Sequence, residues 1–344
     1  MAAWVKGDAS DAEGAVTAAA ALLAAAHAPV FAGLNADVAA IRAALRLAGT
    51  LGASLDTLGA AGTYAELGAL SRAGAMTTTP AEVLGRADVI LTVGGKARHA
   101  AIVDALRAAA PARGRAAGSD RHVLAIDAAS APEIARAIAH LRACARGHLT
   151  DDAALSDIAR KLYGAAYGVV LYDPADLGEI GVEMLQGLVR DVNAATRCFT
   201  LALGGPDQDR AVVQVAAWTT GQAPRTGFGR RVPEHDPWRF DAARQVAAGE
   251  ADAALWLSTL PAPHPSWLGR LPAIAIVGAG SLAAAPRTAE VVIAVGVPGE
   301  GAGGVLWNEG RAALTYQAGA GGLAAATVVA RIHDRLTRGR DAAC

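Results

Sequence analysis

The stretch Ala87-Asp88-Val89-Ile90-Leu91-Thr92-Val93-Gly94-Gly95 decides the fold. Its five central residues are β-branched or leucine, with no polar alternation. That is the pattern of a strand covered on both faces, and the two glycines end it. Just upstream, Thr79-Pro80-Ala81-Glu82 reads as a helix start, with Thr as cap, Pro at the first helical position and an acid in the first turn. A helix over 97–110 follows. A buried strand between two such helices indicates βαβ units and a parallel sheet.

The same grammar extends in both directions. Towards the N-terminus, helix 11–27 leads into Pro29-Val30-Phe31-Ala32-Gly33, and helix 37–49 leads to Ala53-Ser54-Leu55-Asp56, with a loop over 57–78. Towards the C-terminus come an Arg/Gly-rich loop (111–120), strand His122–Asp127 and helix 131–145. Then follow helix 151–165, strand Val169–Tyr172, helix 178–195 and strand Arg197–Leu201. Beyond an irregular Pro/Gly-rich segment (219–237) lie strands 252–257, 273–277 and 291–295, a closing helix near 321–338 and a frayed tail, 339–344. The expected class is α/β, with two Rossmann-like lobes and mainly parallel sheets. The acidic Thr150-Asp151-Asp152 suggests a division into 1–150 and 151–344, and an interleaving of the lobes is compatible with the pattern.

Composition supports two lobes, because 344 residues exceed the size at which one core keeps growing. Apolar residues, mostly alanine, make up 53% of the chain, and aromatics only 4%. A formal net charge of −1 provides no long-range field for nucleic acid or anionic lipid. The only lysines are Lys6, Lys96 and Lys161. The scattered arginines fit a GC-rich coding sequence better than an anion-binding surface. Cys144, Cys198 and Cys344 are far apart with no CxxC pair, which argues against a zinc ribbon or an iron–sulfur cluster and for free thiols in a reducing cytoplasm. The N-terminus has no signal-peptide pattern. The most membrane-like run, 15–33, contains His27 and Pro29 and reads as a helix running into a strand.

Ligands of such sheets sit beyond the carboxyl ends of the strands. Those ends carry Gly94-Gly95, Asp127, Asp173-Pro174-Ala175-Asp176, Ser258-Thr259 and Gly278-Ala279-Gly280. The last imitates a dinucleotide fingerprint, but Pro286 interrupts the following helix, so a strand-end turn is the better account. None of the eight histidines forms HxH or HExxH; His235-Asp236 and His264 fall in loops near the expected pocket. There is no G-x-S-x-G elbow. Trp218-Thr219-Thr220-Gly221-Gln222-Ala223-Pro224 is either a cup for a ligand or a buried turn anchored by Trp218, with the second favoured. Asp173-Pro174-Ala175-Asp176 is acid-rich enough for magnesium and equally an ordinary turn and cap.

Taken in order, Ala87–Gly95, then Ala251-Asp252-Ala253-Ala254-Leu255-Trp256-Leu257-Ser258, then Ala289–Ile293 leading to Gly304-Val305-Leu306-Trp307-Asn308-Glu309-Gly310-Arg311, resemble the molybdopterin oxidoreductases. Within that superfamily the segments Ala216–Pro224 and Asp236–Ala242 are similar to the B subunits of formylmethanofuran dehydrogenase, and more closely to those of the formyltransferase/hydrolase complexes of methylotrophs. That resemblance implies a cytoplasmic complex moving formyl from tetrahydromethanopterin to a methanofuran-type carrier and hydrolysing it to formate. It also implies partners: an amidohydrolase-like subunit with zinc, a formyltransferase subunit and a further small subunit.

Departures from the redox-active pattern separate the two groups. The first 140 residues contain no cysteine, Lys96-Ala97 stands where the active family has an Asn/Asp-Pro turn, and the spacer between Asn308 and Glu309 is missing. The expectation is therefore a structural subunit with no catalytic residue, metal or cofactor of its own. Gly94, Gly95, Thr219, Thr220, Gly221, Ser258, Asn308 and Arg311 would be remnants of a pterin pocket, and the loops 219–237 and 296–319 its degenerate walls. The rival readings are an active molybdo- or tungstopterin subunit and a nucleotide-binding enzyme using the strand-end glycines.

Overall fold

The computed structural model describes residues 2–150, 152–204, 208–284 and 289–341. Asp151, Pro286 and the end of the tail (342–344) lie outside the described residues. The chain forms two compact units: unit 1 holds 1–60, 206–307 and 314–344, and unit 2 holds 61–205 and 308–313. The division expected at 150–151 thus differs from the observed one, falling inside unit 2 between two helices that pack together. The chain leaves its first sheet early and returns to it near residue 209; the helix–strand grammar is identical on both sides of each crossing, so nothing local marks it.

Unit 1 opens with β1 (Ala3–Val5), β2 (Asp8–Ser10), α1 (Ala12–Ala25), β3 (Pro29–Asn35), α2 (Val38–Leu51) and β4 (Ser54–Leu55). Asp11 caps α1 by accepting from Gly14 N at 2.6 Å, and Asp37 caps α2 by accepting from Ala39 N at 3.0 Å. Gly52, in the left-handed region, ends α2.

Unit 2 runs through α3 (Ala60–Ala73), α4 (Pro80–Arg86), β5 (Val89–Val93), α5 (Gly95–Arg98), α6 (Ala101–Ala108), β6 (His122–Ile126), α7 (Ala131–Ala145), α8 (Ala153–Gly164), β7 (Gly168–Tyr172), α9 (Pro174–Asn193) and β8 (Cys198–Ala202). The anticipated Thr79 cap and Pro80 start of α4 are present.

Unit 1 then resumes with α10 (Asp209–Thr220), β9 (Thr226–Gly227), β10 (Glu234–His235), α11 (Ala242–Ala247), β11 (Ala253–Ser258), β12 (Ala273–Gly278), β13 (Val291–Val295), the hairpin β14 (Gly304–Asn308) and β15 (Ala313–Gln317), and α12 (Ala325–Asp341). Three elements depart from the sequence reading. The expected loop 57–78 contains α3, the helix expected over 97–110 is broken into α5 and α6, and α10 lies where no element was anticipated.

The architecture is α/β with Rossmann-like sheets, as expected. Unit 2 has four parallel strands in the order β6-β5-β7-β8. In unit 1 the order is β10-β9-β4-β3-β11-β12-β13-β1-β2. Its five central strands are parallel, with antiparallel strands at each edge. Strands β3, β5, β7, β11, β12 and β13 are buried along their whole lengths, which explains their unbroken apolar runs. Side chains such as Phe31, Ile41, Leu55 and Ile274 pack one face of the unit 1 sheet against α1, α2, α10 and α12. Each such fully buried side chain contributes about 1.5–3 kcal/mol. Among the described residues, no helix is long and apolar enough to cross a membrane.

Candidate functional site

Each sheet has one point where the strand order reverses, and crevices at such points bind ligands in folds of this kind. In unit 1 the chain passes from β3 to β4 on one side and later to β11 on the other. In unit 2 it passes from β5 to β6 on one side and to β7 on the other.

At the unit 1 reversal, the pairing of β3 with β11 shifts register: Ala32 faces Trp256, but Asn35 faces Ser258. Gly33 (φ 84°) and Leu34 (φ 54°) form the resulting bulge. A Cβ on Gly33 would stand 2.8 Å from Leu257 O, so glycine is required there. The bulge turns Asn35 inward. Its amide donates to Ser258 Oγ (3.4 Å) and Leu260 O (3.3 Å), and its side-chain oxygen accepts from Gln208 N (3.1 Å). Its backbone oxygen accepts from Thr259 N at 2.9 Å. Gln208 in turn accepts from Trp307 N at 2.7 Å, while Gly304 lies where a Cβ would come within 2.7 Å of Asp37 Cβ. The start of β14 therefore covers this strand end.

Beside it lie buried carboxylates. Burial raises the pKa of Asp37 against the pull of the Ala39 and Ala40 N–H groups. Asp56 is pushed up to about 6, mainly by burial, with Arg225 opposing. Its oxygens accept from Thr57 N (2.9 Å), Ala242 N (3.0 Å) and Arg225 Nε (3.1 Å). Arg225 also meets Asp241 at 2.5 Å. Thr57 Oγ1 donates to Asp209. Asp56, Thr57, Arg225 and Asp241 wall a cavity of about 290 Å³ that also meets Trp256, Trp267 and His264.

At the unit 2 reversal, Gly94 (φ 87°) leads into the four-residue α5, and Asp173 caps α9 by accepting from Ala175 N at 2.8 Å. Lys96 Nζ sits between Asp173 (3.2 Å) and Asp176 (2.9 Å). Its pKa is raised, first by the Asp176 hydrogen bond.

The eight remnant-pocket candidates do not form one cluster within either unit. In unit 1, Ser258 joins the Asn35 network at the start of α10, whereas Thr219, Thr220 and Gly221 end that helix, about 16 Å away at 1.5 Å per residue. Thr220 Oγ1 donates back to Ala216 O (2.7 Å), and Gly221 is a left-handed cap. Trp218 is 54% exposed, so it does not anchor a buried turn; it lies on the solvent side of α10. In unit 2, Gly94 and Gly95 lie at the end of β5, and Asn308 Oδ1 caps the turn Glu309–Arg311 by accepting from Arg311 N at 3.0 Å. His235 Nδ1 lies 3.2 Å from Arg225 O, and Asp236 accepts from Trp238 N and Arg239 N, so this pair shapes a turn. Gly278 leads into a 3-10 turn (Ala279–Ala284), and a Cβ there would meet Val297 Cγ2 at 3.0 Å. Sequence reasoning missed Asn35, Asp37, Asp56, Thr57, Lys96, Gln208, Asp209 and Arg225 as site residues. The one available signal was a polar residue ending each apolar run.

A phosphate-bearing pterin needs cations and free N–H groups at these strand ends. At each end the cations, Arg225 and Lys96, are already paired with carboxylates, and the N-termini of α2, α9 and α11 already donate to Asp37, Asp173, and Asp56 and Asp241. The residues present do not fit that group. Among the described residues no set of three or more His, Cys, Asp or Glu is placed to hold a metal ion.

No protein-family profile matches the chain. A curated relative, the B subunit of the formyltransferase/hydrolase complex Fhc of Methylorubrum extorquens, is 57% identical over 98% of both chains. The crystal structure of the FhcABCD formyltransferase/hydrolase complex from that organism, in complex with methylofuran, contains a chain that matches with a TM-score of 0.93 and 56% identity. The match covers 98% of this chain and 99% of that one.

Proposed function

The chain belongs to the family of Fhc B subunits of formyltransferase/hydrolase complexes, and we propose that it is the non-redox, structural B component of such a complex. The complex would move formyl from tetrahydromethanopterin to a methanofuran-type carrier and hydrolyse it to formate during one-carbon oxidation. The observation that carries this reading is the likeness along the whole chain, 57% identity with 98% of each sequence covered. Methylofuran in the related crystal structure supports the carrier class.

The chemistry belongs to partners: an amidohydrolase-like subunit holding zinc, a formyltransferase subunit and a small fourth subunit, all in the cytoplasm. This chain contributes no catalytic residue, metal or pterin. Strand ends whose cations are already paired with the chain's own carboxylates support that part. They also speak against the pterin-enzyme alternative, and the close packing at Gly278 accounts for that glycine without a nucleotide.

Tagging this chain in its native host tests the proposal. Partners should co-purify in fixed ratio through gel filtration, with zinc present and molybdenum and tungsten below 0.1 per complex, roughly the trace level. An obligate interface of about 2,000–5,000 Å² predicts that separation leaves the chain poorly soluble. Purification as a stable lone monomer, or one molybdenum or tungsten per chain, would refute the assignment.

A further inference from the structure

The strand-order reversal of unit 2 is charged in the opposite sense to an anion site. Asp173 and Asp176 follow β7 and are only 17% and 22% exposed at their side chains. One oxygen of Asp173 is committed to the N-terminus of α9, and the other faces Lys96. Gly94 lies against Asp176, whose Oδ2 is 3.5 Å from where a Cβ would stand. The neighbouring Arg98 is directed to Asp127, at the end of β6. Both basic side chains of α5 thus meet acids at the carboxyl ends of the flanking strands. Lys96 comes from the strand on one side of the reversal and the two carboxylates from the strand on the other, the two sides that a bound ligand would join.

We infer that this crevice is a cation site that the chain fills itself: the Lys96 ammonium is its resident cation, and Asp173 and Asp176 are its ligands. An ammonium between two carboxylates balances charge locally and ties α5 to α9. An anion entering the crevice must displace the ammonium and then face both acids. The inference deepens the cofactor-free reading, on which it rests, by stating which charge the crevice selects. Vacating it leaves two carboxylates to which a hard divalent cation, its remaining ligands supplied by water, can bind.

The test uses the full chain in its purified complex, with hydrogen exchange read on peptides spanning 89–100 and 173–182, and Mn²⁺ binding read by electron paramagnetic resonance. Lys96 is 61% exposed at its side chain, so Lys96→Met leaves the core intact. In K96M, exchange should rise about 1.5- to 5-fold, the range for exposed ion pairs. Millimolar Mn²⁺ should restore protection in K96M, have no effect on the unmodified protein, and lose its effect in K96M/D176N. K96R should exchange like the unmodified protein. The inference is overturned by unchanged exchange in K96M, or by no Mn²⁺-dependent protection there. Pyrophosphate is the control: if it protects these peptides in the unmodified protein, the cofactor-free reading falls as well. A K96M variant blind to Mn²⁺, with no pyrophosphate effect, removes only this inference.

Discussion

Asp56 gives the sharpest quantitative test of unit 1. Its carboxyl is pushed from the ordinary 3.8 to about 6, chiefly by burial. Because the folded-state pKa is raised, the proton binds more tightly to the folded chain than to the unfolded one. Stability therefore rises as pH falls through about 6, and the gain is complete below the unfolded value near 4. At 1.36 kcal/mol per pKa unit, the ionised carboxylate costs the fold about 3 kcal/mol above pH 7. Between pH 7.5 and 5.0, roughly 1 kcal/mol of that cost is removed. Asp56→Asn abolishes the titration. Absolute stability is not the readout, because an amide group then faces the Ala242 N–H; the pH dependence is. Hydrogen exchange in urea, read on unit 1 peptides of the purified complex, reports that unit alone. Groups common to both proteins, including buried Asp37, cancel in the comparison. From pH 7.5 to 5.0 the unmodified chain should gain about 1 kcal/mol relative to D56N. Equal pH dependence in the two proteins would refute the claim that burial, rather than Arg225, dominates this carboxylate.

Asn35→Ala removes an acceptor for buried Gln208 N and donors to buried Ser258 and half-buried Leu260, and should cost unit 1 about 2–3 kcal/mol in the same urea assay. Gly304→Val places a side chain against Asp37 and Pro298 and should cost about 1–3 kcal/mol, separating a packing requirement at that glycine from a ligand-binding one. Burial pushes the Cys198 thiol up to about 12, so iodoacetamide at pH 8 should leave it unmodified in the folded chain while the half-buried Cys144 reacts; peptide mapping reads both.

Features that rest on neighbouring residues were legible in the sequence. The Val89–Val93 strand, the Thr79-Pro80 helix start and the Asp173-Pro174 cap are each fixed by steric preference and hydrogen bonds within a few residues. The α/β class followed because unbroken apolar runs need cover on both faces. Helix α10 escaped notice because its N-cap residue, Gln208, is not one of the usual capping types and makes no side-chain cap bond, and α3 because its small residues carry little amphipathic signal. The resemblance to the B subunits came from the order of short motifs, which a linear reading preserves.

The sites were not legible, because they depend on partners distant along the chain. Asp56 and Arg225 are 169 residues apart, Asn35 and Ser258 223 apart, and Lys96 and Asp173 77 apart. Sequence alone determined which segments become strands and helices and that acids would follow some of the strands. Strand order, which no local preference encodes, decided which of those acids meet Lys96 and Arg225. That closure pairs the charges at the ends of the two sheets.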